Sequence, residues 1–208
     1  MSKILLINGS PNKQGCTYTA LCEIADTLEK NGVDSEILWL GRAPMQDCIA
    51  CGRCGSLGKC TFDDLVNETS SRLDEFDGLV VGSPVYYAGP TGRLTSFLDR
   101  LFFSTDKNKL AGKLGACVVS CRRGGATAAF DRLNKYFQIV NMCVVGSQYW
   151  NQVHGFTPDD VRKDAEGLQT MRSLAANMAY LLKARELAES SGVKSPVYEA
   201  RISTNFIR

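Results

Sequence analysis

Four cysteines stand close together at Cys48, Cys51, Cys54 and Cys60, with two, two and five residues between them. Thiolates at that spacing can wrap a [4Fe–4S] cube. Gly52, Gly55 and Gly58 let the backbone curl around such a group. Zinc is the weaker reading of the same four, because soft thiolates suit it too. A second chemical signal is the stretch KILLINGSPNKQGCT, residues 3–17. Its apolar strand pattern stops at Gly9-Ser10-Pro11. A polar loop follows, and a helical pattern opens at Gly15-Cys16-Thr17. Backbone N–H groups, hydroxyls and the helix dipole make such a loop an anion site. It lacks the Lys-Ser/Thr ending of a triphosphate loop and the tight G-x-G-x-x-G of a dinucleotide fold. A single terminal phosphate fits what remains, with an ordinary strand–helix turn as the alternative.

Two later loops add to this. Ser83-Pro84-Val85-Tyr86-Tyr87-Ala88-Gly89-Pro90 is a rigid turn with two adjacent tyrosines. A planar ring could rest there, and the backbone groups match the alternating donors and acceptors of an isoalloxazine edge, so FMN suits both loops. The alternative is a structural turn whose tyrosines pack on the next helix. Ser120-Cys121-Arg122-Arg123-Gly124-Gly125 places two arginines just before a helix start. A cation there stabilises an anionic reduced flavin, or grips the phosphate of NADPH or an anionic substrate. A solvated basic turn is the plain reading. His154, the only histidine, follows Tyr149-Trp150-Asn151. It suits a proton donor or an interface histidine.

The elements that must position these groups alternate along 208 residues. Strand patterns cover residues 3–8, 35–40, 78–82, 115–120 and 142–147, nearly all apolar inside, as for parallel strands covered on both faces. Helical patterns cover 17–31, a stretch opening at Asp63-Asp64, 91–103, 126–138 and 164–190. The expected fold is α/β: a doubly wound, five-stranded parallel sheet in a three-layer sandwich, with ligands beyond the carboxyl ends of strands one, three and four. One domain is expected over residues 1–190, with a Cys-rich insertion at 44–60 and an irregular tail at 191–208. A net charge of +2 argues against a nucleic-acid or anionic-membrane partner. No apolar run suggests a signal peptide or a bilayer span, and nine cysteines without one imply a reducing, cytoplasmic setting.

GSPNKQGCT, SPVYYAGPTGRLTSFLDR and SCRRGGAT, in this order and spacing, resemble the flavodoxin-like NAD(P)H-dependent FMN oxidoreductases. That family includes iron–sulfur flavoproteins, quinone and nitro reductases and azoreductase-like enzymes. The resemblance runs from about residue 3 to 150. It implies that the first loop holds the FMN phosphate with Ser10, Asn12, Cys16, Thr17 and Tyr18. The ring would be cradled by Pro84, Val85, Tyr86 and Tyr87, and the pocket completed by Ser120, Arg122, Arg123 and Gly124. Cys16 departs from the asparagine of many relatives; a backbone N–H there still serves a phosphate. The implied activity is ping-pong hydride transfer from NAD(P)H through FMN to a quinone, azo or nitroaromatic acceptor. The alternative is an iron–sulfur flavoprotein passing electrons between a [4Fe–4S] cluster and FMN. The cysteine spacing is similar to the compact motif of that branch, although related loops in members without a cluster make a subunit contact. A homodimer or tetramer is implied, with Trp150, Asn151 and His154 at a partner's site.

Overall fold

The computed structural model describes residues 2–200 and 202–204. In its sheet β1 (Lys3–Asn8) has β2 (Asp34–Trp39) on one side and β3 (Gly78–Pro84) on the other. Next to β3 runs β4 (Leu114–Cys121), and β4 carries two short strands on its outer edge, β5 (Cys143–Val144) and β6 (Gln152–His154). All of these pairings are parallel, and the order is β2-β1-β3-β4-β5.

Successive β1 residues point to opposite faces. Ile4 and Leu6 pack with Leu21, Ile24, Met171, Leu174 and Met178. These come from α1 (Cys16–Lys30) and α7 (Ala165–Ser190). Leu5 and Ile7 pack with Leu94, Phe97, Leu101, Leu133 and Phe137. Those belong to α4 (Gly92–Ser104) and α5 (Ala126–Ile139). Each fully buried aliphatic side chain is worth about 1.5–3 kcal/mol, so both helical layers are held by the sheet rather than by their own propensity. The result is the expected three-layer α/β/α arrangement. Three shorter helices complete it: α2 (Cys54–Leu57), α3 (Leu65–Ser71) and α6 (Pro158–Lys163).

The fifth strand differs from expectation. Residues 142–147 read as one strand, yet only Cys143 and Val144 pair, opposite Leu114 and Gly115. The chain then leaves the sheet and returns as β6 against Val119–Cys121. Asn151 fastens this excursion. It is 2% exposed, its carbonyl accepts from Val119 N at 3.0 Å, and its Oδ1 accepts from Ser147 Oγ at 2.7 Å. The split carries the segment after β6 back to the carboxyl end of β4, where Gly155 N donates to Cys121 O. Residues 193–200 and 202–204 form no helix or strand; residues 201 and 205–208 of the expected tail lie outside the described residues. No described helix is long and apolar enough to cross a membrane.

Candidate functional site

The loop after β1 is braced from both sides. Inside, the buried Asn8 donates from Nδ2 to Lys13 O at 3.1 Å, and its Oδ1 accepts from Ser10 N at 3.0 Å. Ser10 Oγ in turn accepts from Asn12 N at 3.1 Å. Outside, Trp39 Nε1 donates to Ser10 O at 2.8 Å and Arg42 Nε to Pro11 O at 2.6 Å. These bonds hold the turn open in front of α1. Gly15 then begins α1 with no side chain capping it. The first-turn N–H groups are therefore free of side-chain acceptors, the condition an anion site needs.

Among the helices longer than a single turn, that lack of a cap distinguishes two. Asp64, Thr91, Thr157 and Asp164 cap α3, α4, α6 and α7 with their side chains. Helices α1 and α5 begin at Gly15 and Gly125 without one. Both start where the loops after β1 and β4 meet. Thr17 Oγ1 and Ser120 Oγ, 103 residues apart in sequence, lie 2.9 Å apart and tie those loops together. The loop after β3 joins them through Val85 N, which donates to Ser120 O at 2.9 Å. Its tip is a tight turn in which Tyr86 and Gly89 exchange backbone bonds, with Tyr87 and Ala88 at φ 49° and 60°. Positive φ at two non-glycine residues is strained backbone, and strain of this kind gathers at ligand-binding turns. Gly125 sits under the tip at φ 88°. A Cβ there would meet Ala88 Cα at 2.9 Å, so only glycine lets the two loops touch.

Together the three loops enclose a cleft of about 250 Å³. Ser10, Asn12, Cys16, Thr17, Pro84, Val85, Tyr86, Ser120 and Arg122 line it, as do Gly155 and Phe156. Burial pushes the Cys16 thiol up, so it stays protonated beside Gly155 O. Four residues named from the sequence are not on this wall. Tyr18 lies on α1, where its hydroxyl faces Cys22. Tyr87 is fully exposed at the turn tip, and Arg123 and Gly124 are exposed beside Arg122. Gly155 and Phe156 carried no sequence signal, since only the return of β6 to β4 brings them here. His154 lines a different depression with Asp164 and Glu166, and its backbone N donates to Asp164 Oδ2 at 2.6 Å.

The four cysteines meet elsewhere. Cys48, Cys51, Cys54 and Cys60 all line one pocket with Ile49, Phe62 and Phe103, against α4. All four are free thiols; Cys48 and Cys51 are exposed. Among the described residues no three His, Cys, Asp or Glu side chains close on a single ion. A lone zinc draws its sulfurs to about 2.3 Å from one point, whereas a cube keeps them further apart. The donor set is all sulfur, which suits iron–sulfur chemistry, and a buried hydroxyl without a partner, Ser104 Oγ, stands on the same wall. The free space is about 20 Å³, so a cube is admitted only when the exposed Cys48–Cys51 side moves outward.

A parallel sheet with β1 flanked by β2 and β3, and a cleft across the ends of β1, β3 and β4, defines a flavodoxin-type α/β protein. Solved structures bear this fold out. A flavodoxin from the domain Archaea matches at TM-score 0.57 and 18% identity, over 88% of this chain and 99% of that one. RosB, solved with an 8-demethyl-8-formylriboflavin-5'-phosphate intermediate, matches at TM-score 0.68 and 15% identity, over 99% and 92%. The chain belongs to the NADPH-dependent FMN reductase family, whose model matches residues 2–157. It is also 31% identical over 188 residues to an iron–sulfur flavoprotein of Methanocaldococcus jannaschii, covering 87% of this chain and 97% of that protein. It is accordingly an NAD(P)H-dependent FMN oxidoreductase.

Proposed function

We propose that FMN lies in the cleft between the three loops, its phosphate at the start of α1 and its ring between Tyr86 and Arg122. The observation that carries this reading is the meeting of two uncapped helix starts, α1 and α5, in a cleft lined by Ser10, Thr17, Ser120 and Arg122. The chemistry that bound FMN supplies is hydride acceptance from NAD(P)H and onward reduction of a quinone, azo or nitroaromatic acceptor. The protein's own part is to hold and to bias. N–H groups of Cys16 and Thr17, with the Ser10 hydroxyl, hold the phosphate. Pro84 and Val85 present backbone groups to the ring edge. Arg122 places positive charge where the reduced ring becomes anionic, which favours two-electron transfer. The exposed Tyr86 side leaves one ring face open, so both substrates use it in turn. Steady-state kinetics with NADPH and a quinone tests this: parallel initial-rate lines are expected, and intersecting lines count against one shared face.

A second reading is favoured by the cysteine pocket. Cys48, Cys51, Cys54 and Cys60 then hold a [4Fe–4S] cluster, whose chemistry is one-electron exchange with a protein partner. The named relative from Methanocaldococcus supports it. Protein purified without oxygen decides between the two: yellow and iron-free for the first, brown with about four irons per chain for the second. Both readings place the protein in a reducing, cytoplasmic setting.

A further inference from the structure

Helix α4 turns two polar side chains toward the cysteine pocket, one turn apart, and the flavin cleft uses neither. The Arg100 side chain has no exposed surface. Its Nη1 and Nη2 donate to Asp64 at 2.7 and 2.8 Å, and to the carbonyls of Gln46 and Phe62 at 3.2 Å each. Those four bonds fix the guanidinium plane. The remaining donor, Nε, is thereby aimed at Cys60 Sγ, 3.2 Å away. A guanidinium keeps its proton in proteins, so Arg100 faces the sulfur as a cation.

Ser104 follows four residues later, on the same helical face. It lines the pocket and is 8% exposed. Among the described residues its Oγ is the one buried side-chain nitrogen or oxygen without a hydrogen-bond partner. An unmet buried hydroxyl costs about 1–3 kcal/mol, which points to an acceptor that arrives in the pocket. The rest of that wall, Ile49, Phe62 and Phe103, has apolar side chains. An acceptor of sulfur chemistry fits, because the four thiols stand around the same space.

We propose that Arg100 and Ser104 set the reduction potential of a [4Fe–4S] cluster held by Cys48, Cys51, Cys54 and Cys60; the proposal rests on the cluster reading above. Arg100 is a positioning residue that acts through Cys60. Ser104 donates directly to a cluster sulfur or a ligating thiolate. Adding an electron makes the cluster more negative, so donors to its sulfurs stabilise the reduced form more than the oxidised form. Both residues raise the potential.

The test uses the full chain, prepared without oxygen, as wild type, Ser104→Ala, Ser104→Thr and Arg100→Lys. Iron and acid-labile sulfide per chain are measured first, then the midpoint potential by a redox titration followed by electron paramagnetic resonance. Ser104→Ala is expected to keep its iron and to shift the reduced-to-oxidised ratio about tenfold toward oxidised, which is about 59 mV lower for one electron. Ser104→Thr keeps the hydroxyl and the wild-type potential. Arg100→Lys keeps the charge, loses the Nε donor and moves the potential in the same direction as Ser104→Ala. Wild-type iron content with an unchanged potential in Ser104→Ala overturns this proposal alone. A wild type that takes up no iron overturns the cluster reading together with it. Should Arg100→Lys fail to fold, the two Ser104 variants decide.

Discussion

The walls of the cleft proposed for FMN come from the ends of β1, β3 and β4, locked by backbone bonds such as Val85 N to Ser120 O. The walls of the cysteine pocket come mostly from residues 48–62, laid against α4 with little regular structure beyond the single turn of α2. The cleft offers backbone donors and hydroxyls in fixed positions; the pocket offers four thiols, two of them exposed. A site built on strand ends is shaped before its ligand arrives. A site built on a loop takes its final shape with its ligand. The two regions should therefore fail independently, and in different ways.

The largest expected effect separates them outright. On the cluster reading, Cys54→Ser should remove nearly all iron from protein purified without oxygen, while FMN binds as in the wild type; loss of FMN as well would join the two regions. The reverse experiment is Gly125→Val. A side chain at φ 88° that meets Ala88 pushes the turn at Tyr86–Gly89 off the loop after β4. FMN affinity should fall about 100-fold, roughly 2.7 kcal/mol, with iron content unchanged. Flavin fluorescence titration reads the first and metal analysis the second. A smaller effect is expected from Thr17→Val, which removes the bond to Ser120 Oγ and leaves that buried hydroxyl unpaired. Loss of about 1–2 kcal/mol, a five- to thirtyfold weaker FMN complex, is expected from the same titration.

The smallest effect lies outside both regions and serves as a control on overall stability. Arg72 and then Lys3 hold the Glu36 carboxyl down at about 2, against the usual carboxylate range. A depressed carboxylate contributes its stability above the unfolded-state value and loses it as pH falls through that value toward 2. Glu36→Gln should cost about 1 kcal/mol at neutral pH, given partial solvent screening, and only a small fraction of that near pH 2. Thermal melts at both pH values check this, and neither FMN nor iron content should change.

Much of this arrangement was legible in the amino-acid order, and the exceptions share a cause. Residues 4–7 are a continuous apolar run stopped at Gly9, and β1 covers them within Lys3–Asn8. Helix α7 begins next to Asp164, its capping side chain, where the helical pattern of residues 164–190 opens. The split fifth strand was not legible. Met142, Val144 and Val145 are apolar, but how far they pair depends on β4, and on Asn151 held under the excursion. Gly155 and Phe156 reach the cleft for the same long-range reason. Arg100 sits beside the apolar stripe of α4, where a charge reads as solvent-facing; its partner Asp64 lies 36 residues earlier, so only the folded chain shows it buried. Local pattern reveals strands, loops and spacing. It does not reveal which polar group is satisfied by a distant one.

The central claim is that a phosphate is held where β1 gives way to α1. Flavin-free protein titrated with FMN and, in parallel, with riboflavin tests it most directly. FMN is expected to bind at least about 100-fold more tightly, since only it presents a phosphate to the uncapped helix start. Equal affinity for the two would contradict the account.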